Sequence, residues 1–189
     1  VTKRGCLLVV FVLCLNGITH ASASDPVDPE LRALLQRSVS ESTSFTDRFD
    51  AEVWLSDMSN RLQSLLPDHD ERLELLRLVH REARRASLHP ELVLALIETE
   101  SHFQRFAISN AGAQGLMQIM PFWLDEMGRP DDNLFISATN LRYGCTILKY
   151  YLGIEKGDLA RGLARYNGSL GKTVYSDKVL NTLREHWYQ

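Results

Sequence analysis

Residues 90–121 read PELVLALIETESHFQRFAISNAGAQGLMQIMP, and the fold turns on how this stretch is read. Its first part is compatible with a helix, and Pro90 suits the first helical position, where a missing N–H costs nothing. The stretch breaks at Ser109-Asn110-Ala111-Gly112 and resumes as the apolar segment 115–120. At about 100° per residue, Leu92, Phe103, Leu96, Val93 and Ile97 fall within an arc of roughly 140°. Glu100 lands near the middle of that arc, while Glu98 falls opposite, beside Leu94 and His102. One acid therefore stands where a hydrophobe is expected. Desolvation raises the pKa of such a carboxyl until it holds its proton near neutrality, which is what a general acid requires. A structural ion pair or a backbone N–H elsewhere in the fold accounts for the position equally well, and the wheel does not separate the two.

Toward the N-terminus, residues 1–23 are expected to be a secretory signal. Lys3 and Arg4 give a basic start, 7–15 is a short apolar core, and Ala21-Ser22-Ala23 offers a small-x-small cleavage pattern. The apolar run falls short of the roughly 20 residues that a spanning helix needs. Leu13 is bulky where a lipid anchor on Cys14 would want a small residue. With the mature start near Ser24, Cys145 is the one remaining thiol, so no internal disulfide is expected and the core must hold the fold. A mature length of about 165 residues fits one domain of ordinary size.

A net charge of −3 argues against a nucleic-acid binder that works by neutralising phosphates. There is no Gly-rich phosphate loop, and the six histidines are scattered without zinc-like spacing, so neither metal nor cofactor is expected. Asp68-His69-Asp70-Glu71 reads better as a helix start, with Asp68 as the cap and acids favoured by the helix dipole.

Residues 24–46 look loosely organised, with a short amphipathic helix at 30–37 and a Ser/Thr-rich linker at 38–44. Helical spacing of Leu55, Met58, Leu62, Leu65 and Leu66 predicts a helix over 47–66. A second covers 68–87 with the stripe Leu73, Leu76, Val79, Ala83 and Ala86. Further helices are expected at 90–103, at 115–127 with a bend at Pro121, at 134–152, from 158 to 165, and at 174–186. Residues 128–133 are a turn and 166–169 a loop. No segment alternates convincingly as a strand, so the expected class is all-α.

Glu100-Ser101-His102-Phe103, then Ser109, then Gly112 through Pro121 (GAQGLMQIMP), then Tyr166-Asn167-Gly168, resembles the soluble lytic transglycosylase catalytic domain. The likeness covers about 81–181, includes the intermediate Asn140, Gly144 and Tyr151-Leu152 pattern, and keeps motif order and spacing. It implies a lysozyme-like all-α domain at 67–189, preceded by an N-terminal extension at 24–66. It also implies cleavage of the β-1,4 bond between N-acetylmuramic acid and N-acetylglucosamine, with closure of the muramyl C6 hydroxyl onto C1. Glu100 matches the single catalytic acid/base, assisted by the substrate's N-acetyl group. Ser109, Gln118 and Met120 match positions lining the saccharide groove. Tyr166 matches the tyrosine whose hydroxyl approaches the carboxylate, and Asn167 follows it.

Two departures stand out: Arg165 sits between Ala164 and Tyr166, and Gly168-Ser169-Leu170-Gly171 replaces the usual Gly/Pro-rich continuation. The partner expected is the peptidoglycan glycan strand, met in the periplasm by a monomer with no stable membrane anchor. Association with an envelope secretion or cell-wall machine stays open. Two rival readings also stand at this stage: a muramidase that adds water, and a glycan-binding scaffold with little turnover.

Overall fold

Among the described residues, the apolar spacing and the punctuation of the chain are realised as seven α-helices and one π-helical turn. They are seen in a computed structural model that describes residues 48–127, 129 and 131–188. The signal segment, the 30–37 helix and the 38–44 linker lie outside those residues. The helices are α1 (Arg48–Leu62), α2 (His69–Arg85), α3 (Pro90–Ser101), α4 (Phe122–Met127), α5 (Ser137–Ile154), α6 (Leu159–Tyr166) and α7 (Val174–Thr182). The π-turn covers Leu183–Trp187. Asp68 caps α2 by accepting the Glu71 N–H, and Asp158 caps α6 by accepting that of Arg161. The all-α expectation is met: among the described residues, β-structure amounts to two isolated bridges, Ile108 to Gln114 and Gln114 to Ile119.

Helix α3 is the axis of the core. Residues 92–97 are all buried, none more than 5% exposed, so the helix is enclosed on every side rather than along one stripe. Helix α2 covers one flank, while α7 and the π-turn cover another. Leu94, on the side opposite the apolar arc, is thereby buried as well. Glu98 there accepts hydrogen bonds from Trp187 Nε1 and meets His186 Nδ1, both at 2.7 Å. Helix α5 packs between α2 and α6, and α6 packs on α7. Helix α1 lies on α2 and adds the fully buried Met58 and Leu62 to the same core. The buried Arg72 secures the α1–α2 connection through Ser59 Oγ (2.9 Å) and the Leu66 carbonyl (2.7 Å).

A second anchor joins α2 to α5. Glu82 is wholly buried and receives Arg85 at 2.7 Å, Arg81 at 3.1 Å and Arg142 at 3.3 Å. Burial pushes its carboxyl up, but the hydrogen bonds from Arg142 and Arg85 outweigh that and hold it below the usual range.

The helix expected over 115–127 is a correction. Only Phe122–Met127 is helical. Gly115 (φ +76°) and Gln118 (φ +50°) both adopt the left-handed region, which a right-handed helix cannot accommodate. Gln114 and Ile119 instead pair as an antiparallel bridge. Helix α3 likewise stops two residues short of 103, because His102 (φ +49°) and Phe103 (φ +62°) are left-handed.

The turns of 114–120 are held by one buried amide. Asn140 Oδ1 accepts the Met117 N–H (2.7 Å), and its Nδ2 donates to the Gln114 and Leu134 carbonyls (2.9 Å each). Gly115 lets it approach, since a Cβ there would lie 2.4 Å from both Asn140 Nδ2 and the Leu134 oxygen. One turn along α5, Gly144 leaves room for Met117, whose Sδ would be 2.3 Å from a Cβ. Asn140→Ala strands one N–H and two carbonyls, at a cost of about 2–4 kcal/mol. The expected outcome is a lower urea midpoint at unchanged slope, measured by equilibrium unfolding.

Candidate active site

Glu100 sits on the last turn of α3, where the helix emerges from the core, and its side chain is half-buried. The hydroxyl of Tyr175, on the first turn of α7, donates to Glu100 Oε1. Burial raises the Glu100 carboxyl above the usual range, and the Tyr175 hydrogen bond and the charge of Lys178 only partly offset that. Lys178 lies three residues beyond Tyr175 on α7 and so shares its face. Tyr175 is pushed well up by burial and by the Glu100 charge, so its proton stays on the phenol and Glu100 is the acceptor.

Tyr166, the last residue of α6, is a second phenol that feels this acid. Burial raises it first and the Glu100 charge second, which places the phenol within electrostatic reach of the acid. Its hydroxyl, however, donates to the Met117 carbonyl at 2.8 Å. The hydrogen bond to the carboxyl thus comes from Tyr175, a residue that the sequence motifs did not single out. The available signal was a pairing argument. Tyr175 stands four residues before the buried Val179, so it faces the core, and a core-facing phenol needs an acceptor. Glu100 was the acid on the apolar arc without an assigned partner.

The remaining predicted site residues have local duties. Ser109 Oγ accepts the Ala113 N–H (3.0 Å) and so builds the 109–113 turn. Gln118 Nε2 donates to the Ala107 (3.2 Å) and Gly115 (2.9 Å) carbonyls, bracing the loop against itself. Met120 is half-buried against the core. Asn167 is exposed and caps α6, its N–H reaching the Leu163 carbonyl. Glu98, tied to Trp187 and His186, points away from Glu100, as two residues about 200° apart on a helix must. Cys145 is fully buried and its thiol is pushed far up by burial, so it is an inert core residue.

The site thus combines an acid on α3 with phenols on α6 and α7, and the α6 phenol is bonded to the loop that carries Gly-Leu-Met-Gln. Residues 77–179, more than half of the chain, match the family model described as the Transglycosylase SLT domain. The chain belongs to that family. It is 31% identical over 129 residues to the membrane-bound lytic murein transglycosylase C of Salmonella typhimurium, a match covering 59% of this chain and 36% of that protein. The protein of the same name from Klebsiella pneumoniae is 31% identical over 137 residues, covering 61% and 38%. That from Yersinia pestis is 29% identical over 145 residues, covering 63% and 40%. The matches thus span between 36% and 40% of these curated relatives' length.

Among solved structures, the chain is similar to an inactive variant of the lytic transglycosylase Slt from Pseudomonas aeruginosa. That match has 26% identity and a TM-score of 0.43, over 54% of this chain and 19% of that one. It is also similar to the 70-kDa soluble lytic transglycosylase of Escherichia coli, at 22% identity and a TM-score of 0.42, over 82% and 25%. The SLT-domain match takes in Glu100, Tyr166 and Tyr175 together.

The raised Glu100 carries a stability consequence. A folded-state pKa above the unfolded one disfavours folding as pH rises from the ordinary carboxylate range, about 4.3, through the raised value. Glu100→Gln removes this penalty while leaving an oxygen for Tyr175. The variant should melt higher than wild type at neutral pH, with the difference vanishing in acid, as thermal scans across pH would show.

Proposed function

We propose that the protein is an exported lytic transglycosylase that cleaves the N-acetylmuramic acid to N-acetylglucosamine β-1,4 bond of peptidoglycan and leaves 1,6-anhydro ends. The observation that carries this reading is the protonatable Glu100, half-buried, raised by desolvation and held at one oxygen by Tyr175. The SLT-domain family and the murein transglycosylases it resembles supply the substrate class.

The chemistry follows from the two carboxyl oxygens. Tyr175 occupies Oε1, which leaves Oε2 to carry the transferable proton. In the first step Glu100 gives that proton to the glycosidic oxygen as the C1–O bond breaks. The substrate's 2-acetamido oxygen stabilises the cation at C1, so no second protein carboxylate is required, in contrast to the common two-acid glycosidases. Glu100 is then ionised, and the Tyr175 hydroxyl and the Lys178 charge both favour that state. In the second step the carboxylate takes the proton of the C6 hydroxyl while O6 bonds to C1. The acid is restored and no water is consumed. Ser109, Gln118, Met120, Tyr166 and Asn167 are assigned to the groove around the reacting sugars. The leader read at 1–23 supports export to the periplasm, with glycan strands as the partner.

Digestion of purified peptidoglycan followed by mass measurement of the soluble fragments is the test. Anhydro-ended fragments, one water lighter than reducing ones, are expected from wild type and absent with Glu100→Gln. Reducing ends would show a muramidase, and no fragments from folded protein a binding module. Tyr175→Phe should lower kcat about ten- to hundredfold, the worth of a hydrogen bond to a charged group. It should also move the alkaline limb of the pH profile upward, since a contact favouring the ionised acid is lost.

A further inference from the structure

The last turn of α3 is held from two sides by one helical rod. Glu98 and Glu100 lie about 200° apart on that turn, so their carboxyl groups leave it in opposite directions. Glu100 Oε1 accepts the hydroxyl of Tyr175 from the start of α7. Glu98 Oε2 accepts Trp187 Nε1, and its Oε1 meets His186 Nδ1, both at 2.7 Å, in the π-turn that directly follows α7. Tyr175 and Trp187 stand about 18 Å apart along the rod, whereas Glu98 and Glu100 are separated by about 3 Å along α3. The rod therefore runs across the end of α3 rather than beside it.

The far end of the rod is built as an anchor. Trp187 is 1% exposed, and its ring centroid lies 5.8 Å from that of Phe103. From α1, Arg61 Nη1 donates to the His186 (3.1 Å) and Tyr188 (3.4 Å) carbonyls, while its Nε donates to Asp57 at 3.0 Å. Arg61, His186 and Trp187 all lie outside the matched residues 77–179, whereas Glu100 and Tyr175 lie within them. His102 also faces Glu98, but it bonds the backbone carbonyl and not the carboxyl. Around Glu100 the facing groups are Tyr175 and Lys178 on α7 and Tyr166 on α6.

We infer that Glu98 is a positioning residue for the chemistry at Glu100: by holding Trp187 and His186 it fixes the far end of the rod and keeps the Tyr175 hydroxyl on Glu100 Oε1. The inference rests on the reading above of Glu100 as the reacting acid. A rod held at Tyr175 alone pivots about that bond, and a second grip on the opposite side of α3 removes the pivot. Releasing the far end weakens the Tyr175 bond, and Lys178 moves with the same helix. Both influences that lower the Glu100 carboxyl then fade together.

The test uses the full chain, with kinetics on purified peptidoglycan across pH and carbon-NMR titration of the Glu100 carboxyl without substrate. Trp187→Phe keeps a ring in the core and deletes the N–H that Glu98 accepts. It should lower kcat about three- to tenfold at unchanged KM, and move both the alkaline limb and the Glu100 titration upward. In a Tyr175→Phe background the same substitution should change kcat by less than about twofold, because the bond it acts through is already gone. Glu98→Gln keeps an oxygen for Trp187 and an amide for His186, so it should retain most of the wild-type rate, whereas Glu98→Ala should not. The direction of the shift in Glu98→Ala separates two causes. Loss of a negative charge acting through space lowers the Glu100 carboxyl, and a slack rod raises it. Arg61→Gln, which frees the same end from α1, stands in should Trp187→Phe fail to fold, and should shift the titration the same way. A titration that stays in place or moves downward, or losses fully additive with Tyr175→Phe, would overturn the positioning role. An upward titration in the variants of a protein that yields no anhydro ends would overturn the transglycosylase reading alone and leave the grip on Glu100 standing.

Discussion

The side-chain amide of Asn140 does for residues 114–120 what a helix or a sheet does elsewhere. Buried backbone must find partners, and this loop has few of its own. From the interior of α5, Asn140 supplies two bonds to it and a third to the Leu134 carbonyl, and Gly115 and Gly144 permit the close approach on which those bonds depend. The effect travels further. The Met117 N–H is fixed by Asn140 and the Met117 carbonyl then accepts Tyr166, so the position of α5 is relayed to a phenol beside Glu100. The loop is therefore shaped from beneath by a helix that carries none of the assigned catalytic groups.

The charged interior shows how a fold separates structural acids from a reactive one. Glu82 is completely enclosed, yet it lies below the usual range because Arg142 and Arg85 bond to it. Glu155 is likewise lowered by hydrogen bonds from Arg161 and Arg165. Glu100 is desolvated too, but its hydrogen-bond partner is a neutral phenol and the nearby cation, Lys178, acts only through its charge. Burial then wins. Between Glu82 and Glu100 the distinction lies in the partner rather than in depth.

Much of this was legible in the chain. Helix starts at Asp68 and Pro90 carry local signals, and the all-α class follows from the apolar spacing. The acid at 100 stood out because it interrupts an apolar arc. What was not legible depends on distant pairing. The apolar run 115–120 reads as helix by composition, and nothing local announces that Gln118 adopts a left-handed conformation, since that backbone is stabilised by contacts with Asn140 and Ala107. On α2, the expected stripe included Leu73, which is half-buried, and omitted Leu75, which is buried. The reason is that Arg72 and Glu82, with partners on other elements, widen the buried face beyond its apolar residues. Tyr175 was missed for the same cause: its role exists only once α7 lies against α3.

The bond between Tyr175 and Glu100 closes a loop of 75 residues, one of the longer sequence separations in the molecule. Contacts of that separation carry a large closure entropy and are favoured only when many others form with them. Ribosomal synthesis delivers Glu100 well before Tyr175, and α5 and α6 lie between the two. The acid therefore acquires its phenol only once α7 lies against α3, a contact that also completes the core. A chain caught part-way carries the carboxyl without its hydrogen-bond donor, so the assembled site is itself a readout of completed folding.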